Sequence, residues 1–361
     1  MTKIADSQSG VALLTILLLV VSITVVAGAM LASQKIAIRR SGLLFNQDQL
    51  LQDINAGQQL AVTIIRADAK LNATDSTQDI WAQPLPPYTL GSHTITAELR
   101  DESSRFNINN LYHDGAPDTV ALAVFQHLLT QLNLVPDIAI AVLDWQDTDS
   151  EIYKEGGDEA VVYAKQASSS ADKTLPNQPF VSVEQLQEVR GVSTEVLAAL
   201  RPYITAVPYY LPINVNTASP VVLAALMDGG TAEQMQALTD LRTQQVLESI
   251  EELWQLPQLS ALSDEQRQAL TPLLAVDSQA FMALITATDS SNVGEARQRY
   301  ATVLISKTSA NSSTNNADTG NTAGNGNNGN NGNNYHDSNS SASTKEIKVI
   351  SQRLWAFRPS F

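Results

Sequence analysis

The sequence predicts an α+β protein in which a long N-terminal transmembrane and amphipathic helix packs on a small antiparallel sheet, with a large all-α domain inserted between the strands. Three observations predict this class. An apolar N-terminal segment continues into a helical pattern, strand-like segments occur near both ends of the chain, and helix start signals dominate the sequence between them. The sheet domain is therefore expected to be discontinuous, and the helical domain to interrupt it.

The apolar segment comes first. Residues Val11 to Gln34 contain neither a charge nor a proline. At a rise of about 1.5 Å per residue, a helix of these 24 residues crosses a hydrocarbon core of about 30 Å. Residues 11–34 are therefore predicted to span a membrane once.

A short polar leader, residues 1–10, precedes this segment and ends at Gly10. A secretory signal peptide has its small-residue cleavage site after the apolar core, whereas here the small residue comes before it. Cutting after Gly10 removes the leader and leaves a mature chain that begins at Val11. This order resembles the type IV prepilin signal, which a dedicated prepilin peptidase cuts after glycine and whose new N-terminus is methylated.

The fifth residue after that cut is Thr15, where most pilin-like subunits have Glu. A carboxylate inside a bilayer is costly unless it is paired, and in the pilin family it pairs with the N-terminal amine of the subunit assembled just before. A first or topmost subunit has no predecessor, so Thr15 is compatible with that position. An ordinary uncharged membrane anchor is the alternative interpretation.

Beyond the membrane segment, apolar residues recur at three- and four-residue spacing, which extends the predicted helix from Val11 to about Lys70. Glycines weaken a helix locally, and we expect bends at Gly28, Gly42 and Gly57. The part of this helix beyond Gln34 and the first strands make up residues 35–107, the first part of the sheet domain.

Two early strands are predicted at 88–90 and 93–99, joined at Gly91 and Ser92. Late strands are predicted at 281–288, 299–305 and 347–357, within the second part of the sheet domain, residues 275–361. Residues 309–346 are rich in Asn, Gly and Ser and lack Val, Ile, Leu, Met, Phe and Trp. Such a segment cannot bury enough apolar surface to fold, so it is predicted to be a disordered loop.

The inserted helical domain is predicted at residues 108–274. Capping boxes are expected for the pairs Ser182 and Gln185, Thr231 and Gln234, Ser249 and Glu252, and Ser263 and Gln266, and Pro220 after Ser219 reads as a first-turn proline. Residues 186–192, followed by Leu197 and Leu200, have the form of a helix-hairpin-helix. Residues 214–217 are predicted to be a turn that caps the helix after Pro220.

An acidic loop lies within this domain. Residues 137–159 contain eight acids and a single Lys. Carboxylates at this density repel one another unless a cation neutralises them, and oxygen ligands without His or Cys favour calcium over zinc. The candidate ligands are Asp144, Asp147, Asp149, Glu151, Asp158 and Glu159. A solvated acidic surface loop without metal is the alternative.

Composition argues against two classes of function, nucleic-acid binding and catalysis. The formal charge of −15 disfavours nucleic acid as a partner, because such affinity depends on Lys and Arg neutralising phosphates. There is no cysteine, the four histidines are scattered, and no Gly-x-Ser-x-Gly motif is present, so we predict that the protein is not an enzyme. Because many helix-hairpin-helix units bind DNA, a membrane-anchored DNA-uptake protein is the alternative function.

Several segments together carry a family resemblance. They are the leader through Gly10 with Thr15 behind it, and residues 101–111, 143–149, 189–192 and 212–218. With these segments the chain resembles the K-type minor pseudopilins of the type II (general) secretion system.

The resemblance implies a pseudopilin fold with a large helical insertion and calcium bound in that insertion. It implies a position at the tip of the periplasmic pseudopilus, which exports folded proteins across the outer membrane. It also implies association with the I-type and J-type minor pseudopilins, the major pseudopilin and the prepilin peptidase. The expected location is a single pass through the inner membrane with the globular part in the periplasm.

Overall fold

The computed structural model describes residues 6–148, 151–154, 177–291, 296–309 and 345–361. Its longest element is helix α1 (Asp6–Leu71), which runs without interruption for 66 residues. No proline occurs in this stretch, so every interior residue can donate to the helical ladder. The predicted helix is confirmed, but it begins five residues earlier than expected, inside the leader.

The sheet has five antiparallel strands in chain order: β1 (Tyr88–Leu90), β2 (His93–Asp101), β3 (Ala280–Asp289), β4 (Arg297–Ser309) and β5 (Lys345–Trp355). Each strand pairs with its neighbour in sequence, although long segments separate β2 from β3 and β4 from β5. All five strand predictions are confirmed within a few residues. The fold is α+β, as the sequence predicts.

Helix α1 packs on one face of this sheet through a core of apolar residues from the helix, β2, β3 and β4. Gly57 is buried at the closest approach, where an added Cβ would lie 2.5 Å from Ile285 Cγ2 and 3.0 Å from Ile95 Cγ2. The glycine therefore allows the helix to lie close to the sheet, which is a different role from the bend that the sequence suggested. Trp81, in the short 3-10 helix Ile80–Ala82, packs edge-on against Phe281 in the same core.

The inserted segment forms seven described α-helices: α2 (Thr119–Gln131), α3 (Ile138–Gln146), α4 (Thr194–Leu200), α5 (Pro220–Ala224), α6 (Ala232–Arg242), α7 (Ile250–Trp254) and α8 (Asp264–Leu270). Four described 3-10 helices accompany them: Ile108–Leu111 precedes α2, Val183–Glu188 and Pro257–Leu259 lie between the α-helices, and Thr271–Leu273 follows α8. They enclose one large apolar core, which includes Phe106 stacked on Phe125 at 5.2 Å between ring centroids.

The expectation of an almost wholly helical insertion needs correction. Most of its described helices are short, and three pairs of two-residue strands occur among them, two of which connect distant parts of the chain. Phe106–Asn107 pairs with Ile204–Thr205, Tyr112–His113 with Ala116–Pro117, and Ile213–Asn214 with Leu274–Ala275. Such pairs are too short to leave an alternating pattern in the sequence.

The helix starts follow the predicted chemistry. Full capping boxes form at Thr231 with Gln234 and at Ser263 with Gln266, and Pro220 occupies the first turn of α5. At Ser249 the hydroxyl caps α7, but the Glu252 carboxylate accepts from Glu248 N–H instead of closing the box. The pair of Ser182 and Gln185 begins a 3-10 helix, in which Gln185 accepts from Val181 N–H.

Candidate functional site

The first candidate site is the apolar end of α1. Side chains from Val11 to Phe45 are exposed, so this part of the helix has no partner within the described chain. Among the described residues, α1 is the one helix that is long and apolar enough to cross a membrane. Gly10 lies within the helix and Val11 is exposed on it, so the predicted processing point falls inside a continuous helix.

The hydroxyl groups of this apolar segment are satisfied by their own helix. Thr15 Oγ1 donates to Ala12 O at 2.9 Å, Ser22 Oγ to Leu18 O at 2.7 Å and Thr24 Oγ1 to Val20 O at 2.8 Å. Hydrocarbon offers no hydrogen-bond partners, so internal pairing is what a membrane segment requires. Position 15 consequently presents no charge that a neighbouring subunit needs to neutralise.

The second site lies where the chain leaves the sheet and returns to it. We call Asp75, Asp101, Asn214, Thr217, Ser278 and Lys307 the junction cluster. Asp101, the last residue of β2, accepts hydrogen bonds from the hydroxyls of Thr217 and Ser278. Asp75 is fully buried, accepts from Ser278 N–H at 2.8 Å and forms an ion pair with the buried Lys307. These contacts join the end of α1, the sheet and the helical domain.

The role predicted for residues 214–217 changes accordingly. Asn214 Oδ1 does accept from Asn216 N–H at 2.9 Å, so the local turn is present. The cap of α5, however, is Ser219 Oγ, which accepts from Val222 N–H. Asn214 Nδ2 instead donates to Asp75 O at 3.0 Å, and Asn216 Nδ2 to Leu247 O at 3.0 Å. The two asparagines therefore connect distant segments and do not cap a helix.

Burial shifts the acid strength of carboxyl groups around this junction. Desolvation raises the pKa of Asp101 to about 7, because hydrogen bonds from Ser278 and Thr217 offset it only in part and the Asp75 charge adds to it. Desolvation also raises the pKa of Asp68 to about 6, with repulsion from Asp79 and Asp75 contributing. In both residues, burial disfavours the charged form of the carboxyl group.

Asp68, Asp75 and Asp79 form a compact acidic group that shares Asp75 with the junction cluster. Each places a carboxylate oxygen within 4.8 Å of the others. Sequence analysis missed this group because the three residues are spread over twelve positions and straddle the end of α1. The available signal was weak: one Asp in the last turn of the predicted helix and two in the segment that follows it.

The predicted acidic loop is only partly described. Asp144 and Asp147 are buried at the end of α3, Asp144 Oδ1 accepts from Tyr153 N–H at 3.2 Å, and Glu151 is exposed. Asp149, Asp158 and Glu159 lie outside the described residues. Carboxylate oxygens are ligands that calcium prefers in proteins. Calcium binding here stays a prediction.

The predicted hairpin is present as the 3-10 helix Val183–Glu188 followed by α4. Gly191 has a φ of +85°, which favours glycine, and an added Cβ would lie 3.3 Å from Ile138 Cγ1 on α3. The turn thus packs against the interior of the domain, which supports a structural role.

Comparison with known proteins places these features in a family. Residues 104–209 and 213–277 match two family models, each described as type II secretion system (T2SS), protein K. Type II secretion system protein K from Pseudomonas aeruginosa is 30% identical over 63% of this chain and 71% of that protein. The protein of the same description from Klebsiella pneumoniae is 28% identical over 82% of this chain and 92% of that protein.

A solved structure shares the fold. It is part of the GspK-GspI-GspJ complex from the enterotoxigenic Escherichia coli type 2 secretion system. The superposition covers 88% of this chain and 99% of the other, with a TM-score of 0.67 and 19% sequence identity. At that identity the likeness concerns the fold.

Proposed function

The chain belongs to the type II secretion system protein K family. We propose that it caps or initiates the periplasmic pseudopilus that exports folded proteins across the outer membrane. It is a minor pseudopilin, a structural component of the secretion system, and we assign it no catalytic activity.

The observation that carries the tip position is Thr15. Its hydroxyl is satisfied by Ala12 O within the same helix, so the residue makes no demand on another subunit. In a shaft subunit, an acid at this place would need a cationic partner in the bilayer. A subunit without that acid gains nothing from having another subunit before it, which suits the first or topmost position.

The place of the helical domain gives further support. Helix α1 rises by about 1.5 Å per residue, so Asp68 lies about 50 Å beyond Gln34, the end of the predicted membrane segment. The Asp75 backbone carbonyl accepts from Asn214 of the helical domain at that far end. The inserted domain is thus attached at the end of α1 that lies away from the membrane, where a cap would sit.

The partners follow from the same family. The solved protein of this fold is in complex with GspI and GspJ, and we propose I-type and J-type minor pseudopilins as partners of this chain. The exposed apolar side chains of α1 provide the surface for the major pseudopilin and the bilayer. Gly10 and Val11 are the proposed substrate residues of the prepilin peptidase, with methylation of the new N-terminus.

We also propose an inner-membrane location with a single pass and a periplasmic globular part, which the one apolar N-terminal helix supports. Calcium in the loop around Asp144 and Asp147 is a further part of the proposal. Its support is the oxygen-only donor set of the loop and the burial of these two carboxylates.

The test adds the acid that the chain lacks. Thr15→Glu is expected to leave secretion and pseudopilus assembly at or below the wild-type level, since an added carboxylate at the tip has no amine to pair with. Thr24→Glu places the same charge elsewhere in the segment and controls for the general cost of a carboxylate in lipid. Both variants are first quantified in the membrane fraction. A gain in pseudopilus assembly with Thr15→Glu alone would place the subunit in the shaft.

A second measurement addresses the partners and the alternative function. The full-length chain is co-expressed with the I-type and J-type minor pseudopilins and purified in detergent, and a stable complex of the three is expected. Failure to form it contradicts the partner assignment.

Tight binding of duplex DNA at physiological salt would favour the DNA-uptake function instead.

A further inference from the structure

We propose that Asp68, Asp75 and Asp79 form a binding site for a divalent cation of the size of Ca²⁺ at the end of α1. This site is separate from the acidic loop of the helical domain. It does not depend on the proposed position of the subunit in the pseudopilus.

The geometry suits a calcium ion. The three carboxylates each place an oxygen within 4.8 Å of the others. Calcium binds oxygen at about 2.3–2.6 Å, so two ligands on opposite sides of one ion lie about 4.6–5.2 Å apart. One ion can therefore contact all three groups without large movements of the backbone.

Two buried carboxylate oxygen atoms of this group are available to a cation. Asp68 is 2% exposed and Asp75 is 0% exposed. Among the described residues, neither Asp68 Oδ2 nor Asp75 Oδ1 has a hydrogen-bond partner. A buried carboxylate oxygen without a donor costs free energy, and a bound cation removes that cost.

The positive charges of nearby side chains do not neutralise all three carboxylates. Lys307 pairs with Asp75 and neutralises one carboxylate of the three. Lys345 is engaged elsewhere, since its Nζ donates to Ala73 O at 2.9 Å and lies 3.3 Å from Asp277.

The other hydrogen bonds to this group come from neutral donors. Asp68 accepts from Asn72 Nδ2, and Asp79 accepts from the N–H and hydroxyl of Ser76. Asp68 also lies in the last turn of α1, where the negative end of the helix dipole adds to the negative potential. Two negative charges therefore remain to be balanced.

The consequence is structural. Asp75 also accepts from Ser278 N–H, at the point where the chain returns to the sheet. A cation held by Asp68, Asp75 and Asp79 would thus fasten the end of the membrane helix to the junction between the two domains.

The experiment is a calorimetric titration of full-length protein in detergent with calcium chloride, after chelator treatment and dialysis. The variants are the double substitution Asp68→Asn with Asp79→Asn, and Asp48→Asn as a control on an exposed position of the same helix. The double variant is expected to bind one calcium ion fewer per chain, and the control the same number as wild type. Unchanged stoichiometry in the double variant would overturn the proposal.

Two additions separate this site from the acidic loop and from a folding defect. Asp144→Asn with Asp147→Asn should leave the binding event at Asp68 and Asp79 in place. In chelator, the double variant should melt at or above the wild-type temperature, because repulsion is relieved; in calcium, the wild type alone should gain from this site. If the double variant does not fold, Asp68→Asn alone, which keeps the acceptor for Asn72, must show the same loss. An equal calcium response in variant and wild type would mean that Lys307 alone balances the group.

Discussion

The sheet domain and the inserted helical domain are held together in different ways. In the sheet domain, β3 and β4 pair over ten positions and α1 packs along the sheet. In the described part of the helical domain, the α-helices are between 5 and 13 residues long and the strand pairs have two residues each. Regular backbone pairing is thus scarce in the insertion, and buried side chains take over part of its role.

Asparagine side chains form hydrogen bonds to backbone groups that no described strand partner satisfies. Asn107 Nδ2 donates to Val207 O and Tyr209 O, and its Oδ1 accepts from Val207 N–H at 3.0 Å. Asn110 pairs in the same way with Leu211, through Nδ2 to O at 2.7 Å and Oδ1 from N–H at 2.9 Å. A primary amide carries one donor group and one acceptor, so it can replace a strand edge for a single residue. Short elements are therefore stable where polar side chains complete their backbone hydrogen bonds.

The largest expected effect is at the junction that joins the two domains. Asp101 has a pKa raised by burial to about 7, against 3.8 for the free group. The folded state therefore holds the proton more tightly than the unfolded state, and its stability falls as pH rises from about 4 to about 7. At about 1.36 kcal/mol per pKa unit, Asp101→Asn should gain up to about 4 kcal/mol on wild type between pH 4 and pH 8.

Denaturant unfolding of full-length protein across this pH range measures that gain. Any pH-independent cost of the asparagine cancels when the two ends of the range are subtracted. Asp48→Asn, at an exposed position of α1, is the control and should follow the wild-type pH dependence. Parallel profiles for wild type and Asp101→Asn would show that the carboxyl is ionised in the folded state throughout.

The second prediction breaks the amide pairing inside the helical domain. Asn107→Ala removes the partners of Val207 N–H and Tyr209 O in a buried place. Each buried group left unpaired costs about 1–3 kcal/mol, so the loss should be about 3 kcal/mol. Hydrogen exchange should rise in the helical domain while the ladder from β2 to β4 stays protected. Gln236→Ala, which removes a surface amide bonded to Asp240, is the control with little effect.

The smallest effect concerns the packing of α1 on the sheet. Gly57→Ala places a methyl group 2.5 Å from Ile285 Cγ2, and overpacking of this kind typically costs about 1–3 kcal/mol. Gly42→Ala meets no atom within 4 Å, and it should stabilise the same helix by about 1 kcal/mol through propensity alone. Urea unfolding of both variants gives the signs. Stabilisation by Gly57→Ala would mean that the helix can move away from the sheet at no cost.

The same difference between the two domains explains which parts of the structure can be predicted from the sequence and which cannot. The anchor, α1 and the five strands follow from long periodic patterns, and the caps at Thr231 and Ser263 follow from local chemistry. The junction cluster does not, because Asp75, Asp101 and Ser278 are far apart in the chain and meet only in the fold. The roles of Asn107 and Gly57 depend in the same way on neighbours distant in sequence. The acidic loop stands out in the sequence because its charge density is high. The acidic group at Asp68 does not stand out, because it has only three members spread over twelve positions.

Helix α1 also has a mechanical consequence. A continuous helix of 66 residues is about 100 Å long, and no proline divides it. Axial force applied to its membrane end is carried by the helical hydrogen bonds to Asp68 and on to Asp75, where the inserted domain is attached. A push or pull from the membrane would therefore reach the helical domain as a displacement along the helix axis. The coupling is the backbone from Leu71 to Asp75, whose carbonyl accepts from Asn214 of the helical domain.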